Sequence, residues 1–177
     1  MEDYIPPKVS RRQAIHLMSV IVGLGLLMLE VNIYRLTFIS IYVPISISLL
    51  VMIATTIPSR KSIIRIYPKY GVVFPFILNL ASWGFIACYI FMASNFFFAE
   101  KNGATCNLKI EGKGVLLEPT RHHRTDEQYI QVNYLGNEKQ LVFHYLYSAQ
   151  IKTADSVKIT VRKGALGFEI IDKYELF

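Results

Sequence analysis

Three long stretches within the first hundred residues carry almost no charge, and they limit the folds open to this chain more than any other feature. A helix needs about 20 mainly apolar residues to cross a hydrocarbon core of about 30 Å. Residues 14–34 meet that length, with no charge between 17 and 29. Residues 37–57 and 71–98 meet it with no charge at all. Three such segments cannot all be hidden as core helices in a chain of 177 residues, so they are expected to be transmembrane helices. The first resembles a secretory signal in its flanks, because Lys8, Arg11 and Arg12 precede an apolar run. No small-x-small cleavage site follows; the run leaves through Leu29-Glu30-Val31-Asn32, so it is expected to stay as an anchor.

The basic residues orient the segments. Lys8, Arg11 and Arg12 lie before the first span, Arg35 alone lies in the turn after it, and Arg60, Lys61, Arg65 and Lys69 lie in residues 58–70. Three, one and four is the alternation of positive-inside insertion. The tail (residues 1–13) and the basic loop (58–70) are therefore expected in the cytoplasm. The first turn and residues 104–177 are then expected outside a bacterial-type cytoplasmic membrane. The basic loop also mixes cations with Ile63, Ile64, Ile66 and Tyr67, a composition suited to anionic headgroups.

Charge explains the high pI without invoking nucleic acid. Residues 1–100 hold eight Lys/Arg against four Asp/Glu, placed mostly at the ends of apolar runs. Residues 101–177 hold eleven against nine. No basic patch for phosphates is gathered in either part, so the partners expected are membrane lipid and a protein (another chain or a second copy), not DNA or RNA. Cys88 and Cys106 would lie roughly 25 Å apart if helix joined them, and both are expected as free thiols.

Polar residues inside a span are functional candidates, because stranding them in lipid is costly. Glu30 is the one acid within the three segments, with Asn32 and Arg35 beyond it. Its position in the outer turn is expected to let it reach water or pair with Arg35. An ion or proton relay through Glu30 and Asn32 is the sharper alternative. Gly23, Gly25, Ala81 and Gly84 are small residues that let helices approach closely, and Pro44 is expected to kink the second span.

From residue 105 the hydrophobic period changes to two. Ser156-Val157-Lys158-Ile159-Thr160-Val161-Arg162 alternates polar and apolar, as a strand with one buried face does. Residues 129–134 and 139–145 do likewise around Gly136-Asn137, a hairpin signal. Further strands are expected at 106–111, 114–117, 167–171 and 174–177. The fold class is therefore a three-helix membrane bundle with a small antiparallel all-β domain, barrel or sandwich, of five or six strands.

No residue set in the sequence carries chemistry. Arg121-His122-His123-Arg124 is the most unusual string, but adjacent histidines on a strand diverge and the arginines repel a metal ion. It is expected to be a polar loop, with contact to lipid phosphate or an acidic partner as the alternative. His144 is expected to be a half-buried structural residue. No cofactor and no catalytic pair can be named, so a non-enzymatic accessory or scaffold protein is the leading expectation. A protective protein that blocks a toxin, or a small channel using Glu30, are the alternatives.

Overall fold

Ser10 and Gln13 start the first helix with a reciprocal cap. The Ser10 N–H donates to Gln13 Oε1 (2.9 Å) and the Gln13 N–H donates to Ser10 Oγ (3.2 Å). The helix therefore begins earlier than its apolar run, as α1, Arg11–Arg35. The computed structural model describes residues 10–116 and 127–176. Two further long helices follow: α2, Tyr42–Ile66, and α3, Phe74–Phe97. All three are long and apolar enough to cross a membrane. Only 11 to 28% of the most apolar window of each is buried, so most of their hydrocarbon faces outward, as in a helix solvated by lipid.

The chain divides into two compact units. The first comprises Met1–Val31 and Ile41–Met92, and its described residues are mainly helical. Hydroxyls there find partners without water: Ser48 donates to the Pro44 carbonyl and Thr55 to that of Val51, each within its own helix. Asn79 joins α3 to α2, its amide donating to Thr56 Oγ1 and Ser59 Oγ at 3.1 Å each. Just after Asn79, Leu80–Gly84 widens into a π-helical turn. A side chain at Gly23 would collide with the Ala81 carbonyl of that turn, and one at Gly84 would meet the Ser48 carbonyl. Gly25 has nothing within 4 Å, so only Gly23 of the expected pair is a packing glycine.

Two expectations fail in α2. Pro44 lies in the first turn, where its missing N–H would have had no partner within the helix, and no kink is needed. Residues 58–66, expected as loop, continue the helix, with Pro58 inside it. Ser59-Arg60-Lys61 and the isoleucines that follow keep the helical period, so the cations project from a helix end.

The second unit comprises Asn32–Ser40 and Ala93–Phe177 and holds an antiparallel sheet. Its strands are β1 (Gly103–Leu116), β2 (Glu127–Tyr134), β3 (Asn137–Phe143), β4 (Ser156–Lys163) and β5 (Glu169–Leu176), in the order β3-β2-β1-β4-β5. The two strands expected at 106–111 and 114–117 are one long strand bent by a bulge between Ile110 and Gly112. Its first half pairs with β4 and its second with β2. This bend curls the sheet into a half-barrel. The β2–β3 hairpin closes through Leu135 and Gly136, both with left-handed φ (50° and 83°), the two-residue turn that suits strand twist.

The half-barrel encloses Ile130, Val132, Leu141 and Phe143 from one side and Val157, Ile159 and Ile171 from the other. Phe38 completes this core from the turn between α1 and α2. That turn adds a short strand to β5: the Phe38 N–H donates to the Glu169 carbonyl (2.8 Å) and the Ile171 N–H to that of Leu36 (2.7 Å). Asn95, near the end of α3, holds the β4–β5 turn, accepting from the Leu166 N–H and donating to the Phe168 carbonyl, both at 3.0 Å. The unit thus includes the turn between α1 and α2 and the last turn of α3 as well as the sheet.

Candidate functional site

Two polar constellations stand out, one in each unit. In the helical unit, Glu30 is buried, and the Cys88 thiol donates to its Oε1 at 2.8 Å. The Pro44 carbonyl lies 3.5 Å from the same sulfur. Glu30 Oε2 is also buried and has no hydrogen-bond partner among the described residues. The expectation that Glu30 reaches water or pairs with Arg35 is therefore wrong. Its side chain faces the other helices, because Glu30 shares a face with the packing glycine Gly23, seven residues or two turns earlier.

Among the described residues of the β unit, no strand pairs with the outer edge of β3. Its two-residue turn makes Tyr134 and Asn137 a hydrogen-bonded pair, and the register continues through Val132↔Lys139 and Ile130↔Leu141. Backbone groups of Glu138, Gln140 and Val142 consequently point away from β2. The Val142 carbonyl confirms this, because it accepts from the Tyr174 hydroxyl of β5 at 2.9 Å. Tyr174 also meets Phe143 edge-on, ring centroids 5.0 Å apart. This single side chain bridges the gap between the two outer strands of the half-barrel.

Clefts run along that gap. One of about 370 Å³ is lined by Tyr34, Arg35, Gln131, Glu138, Lys139 and Gln140. Another of about 250 Å³ includes Asn32, Arg35, Gln140, Val142 and Tyr174. Lys139 is the unusual member. It occupies an inward position of β3, in step with Leu141 and Phe143, and is 8% exposed. Its ammonium donates to the Tyr34 carbonyl (2.9 Å) and lies 3.8 Å from the centroid of the Tyr34 ring. Burial pushes the Lys139 ammonium down to about 8.

Other shifted groups lie by the hairpin end of β2, two residues beyond the partner of Lys139. Burial, and then the bond to Glu169, pushes the Tyr134 hydroxyl up to about 12. Its ring packs on Phe38 with centroids 4.7 Å apart. Burial and the Glu169 charge raise the Cys106 thiol, which stays protonated and weakly nucleophilic. Both cysteines are free.

Of the paired candidates, Glu30 belongs to the helical unit and Asn32 lines a cleft of the β unit. Arg11 and Arg12 open α1, Arg60, Lys61 and Arg65 lie in the last turns of α2, and Lys69 sits in a short 3-10 turn after it. Lys8 and the string Arg121, His122, His123 and Arg124 lie outside the described residues. His144 follows β3 and is exposed, not half-buried. Among the described residues no cluster of His, Cys, Asp and Glu is arranged to hold a metal ion. Lys139 went unnoticed in the sequence, though a lysine in step with Leu141 and Phe143 was its signal. Comparison with family models, with curated proteins and with solved structures found no match.

Proposed function

We propose that this chain is a non-enzymatic accessory or scaffold subunit of a bacterial-type cytoplasmic membrane, with its N-terminus in the cytoplasm and its β-domain outside. In this reading the β-domain binds an extended segment of another envelope or membrane protein by strand addition. The observation that carries it is the outer edge of β3, which pairs with no strand among the described residues and where backbone groups of Glu138 and Gln140 face a cleft. Such an edge is a template for pairing unless it is covered. The opposite outer strand, β5, already carries the added residues 36–38. The distribution of Arg11, Arg12, Arg60, Lys61, Arg65 and Lys69 supports the sidedness.

Gln140→Pro tests the proposal. Proline on an edge strand, with its nitrogen turned outward, leaves the β2–β3 ladder intact and deletes one outward donor. The expected result is loss of the partner from mild-detergent extracts, with unchanged circular dichroism. Recovery of the same partner in undiminished yield from the folded variant would overturn strand addition at β3.

A further inference from the structure

We propose that the cleft between the last turn of α1 and the β3 edge binds the phosphate of a lipid headgroup, held by Lys139 and Arg35. The inference starts from the cost of burying an ammonium group. A charge removed from water needs a counter-charge or a full set of hydrogen bonds. Lys139 carries three donors. One is used by the Tyr34 carbonyl and a second direction is taken by the Tyr34 ring. No carboxylate pairs with it among the described residues. A methionine would fill the same inward position with no charge to desolvate, so capping α1 is an incomplete account of a lysine here.

The surroundings supply what an anion needs. Arg35 lines the same cleft from the last residue of α1, and Gln131 and Gln140 add neutral donors. Glu138 also lines it, which leaves two cations against one carboxylate and a site that is positive on balance. At about 370 Å³ the cleft falls within the range of roughly 300–1,000 Å³ typical of small-ligand sites. Its position selects the source of the anion. Tyr34 and Arg35 end the apolar run of α1, and if α1 spans the bilayer its last turn lies at the headgroup layer, where basic pockets meet lipid phosphates. A phosphate bridging Lys139 and Arg35 would supply the missing counter-charge with charge-assisted bonds.

The proposal rests on the membrane reading of α1 but not on strand addition at β3. The test is native mass spectrometry of the full chain, released from nanodiscs and titrated with phosphatidylglycerol, with diacylglycerol and with inorganic phosphate. Flotation with vesicles establishes separately that the chain is membrane-embedded. Phosphatidylglycerol is expected to bind, and diacylglycerol, which lacks the phosphate, is not. Lys139→Met is expected to weaken binding about tenfold or more, the loss of a charged hydrogen bond. Arg35→Gln, at an exposed side chain outside the core, is expected to weaken it as well and serves if Lys139→Met does not fold. Lys173→Gln, at an exposed side chain of β5 that does not line the cleft, is expected to leave it unchanged. Equal binding of diacylglycerol, or undiminished binding by Arg35→Gln, would overturn the site. Inorganic phosphate binding as tightly as the lipid would overturn the headgroup assignment and leave a site for free anions.

Discussion

The Lys139 ammonium lies 2.9 Å from the carbonyl oxygen of Tyr34 and 3.8 Å from the centre of its ring, so one lysine from β3 is fixed to the last turn of α1. The pair sets a pH dependence. Folding lowers the Lys139 pKa from 10.5 to about 8, so between those values the unfolded chain holds a proton that the folded chain has lost. Stability therefore rises with pH across that window, by up to about 3 kcal/mol. Tyr134 and Tyr174 act in the opposite sense. Their raised folded values mean that the unfolded chain ionises first above about 10, and stability falls there. Urea midpoints of the β-domain are expected to increase from about pH 7 to about pH 9, and Lys139→Met is expected to abolish the increase. A midpoint that falls over this range in the unmodified chain contradicts the assignment.

Phe38→Ala should unfold the β-domain while sparing the helices. The ring lies in the core of the half-barrel and is 4% exposed. Truncating a buried Phe costs about 3–5 kcal/mol, much of the stability of so small a domain. Limited proteolysis is expected to degrade residues beyond 103 and leave a helical fragment. Unchanged protease resistance would show that the turn residues are dispensable.

Gly23 and Gly25 are predicted to separate cleanly. Gly23→Ala forces a methyl group into the Ala81 carbonyl at the π-helical turn and is expected to cost about 1–3 kcal/mol. Gly25→Ala meets nothing within 4 Å and is expected to be neutral or slightly stabilising. Thermal unfolding in detergent, followed at Trp83 of the turn, distinguishes them; equal effects would contradict the α1–α3 contact.

Asn95→Leu removes both side-chain bonds from Asn95 to the β4–β5 turn and leaves the Leu166 N–H without its acceptor, while the Phe168 carbonyl keeps the Gly164 N–H. The orphaned N–H costs about 1–3 kcal/mol. Hydrogen exchange at Leu166 is expected to accelerate, while exchange at Ile159 in the core changes less. Unaltered exchange at Leu166 would mean that the turn holds itself.

Period and composition were enough to read the three helices and most strands, because each is long and keeps one pattern. The Ser10–Gln13 cap, which marks the start of α1 more accurately than hydropathy does, went unread. What the sequence hid was tertiary. Residues 37–40 read as the opening of an apolar span, yet Thr37 and Phe38 form part of the sheet, since an apolar residue suits lipid and a β-core equally. Glu30 was legible as unusual, but its direction was not. Rotation of a nearly uniform apolar helix is set by Gly23 packing on α3, and no amphipathic stripe announces it. Ile110-Glu111-Gly112 concealed a bulge, so one bent strand looked like two.

Sidedness tests the central claim most directly. In a background lacking Cys88 and Cys106, Lys173→Cys and Ser62→Cys are treated in intact cells with a membrane-impermeant maleimide. Both side chains are exposed, the first on β5 and the second near the end of α2. The account predicts that Lys173→Cys labels in intact cells and that Ser62→Cys labels only after lysis. Labelling of both in intact cells, or of Ser62→Cys alone, would contradict a chain that crosses the membrane three times with its β-domain outside.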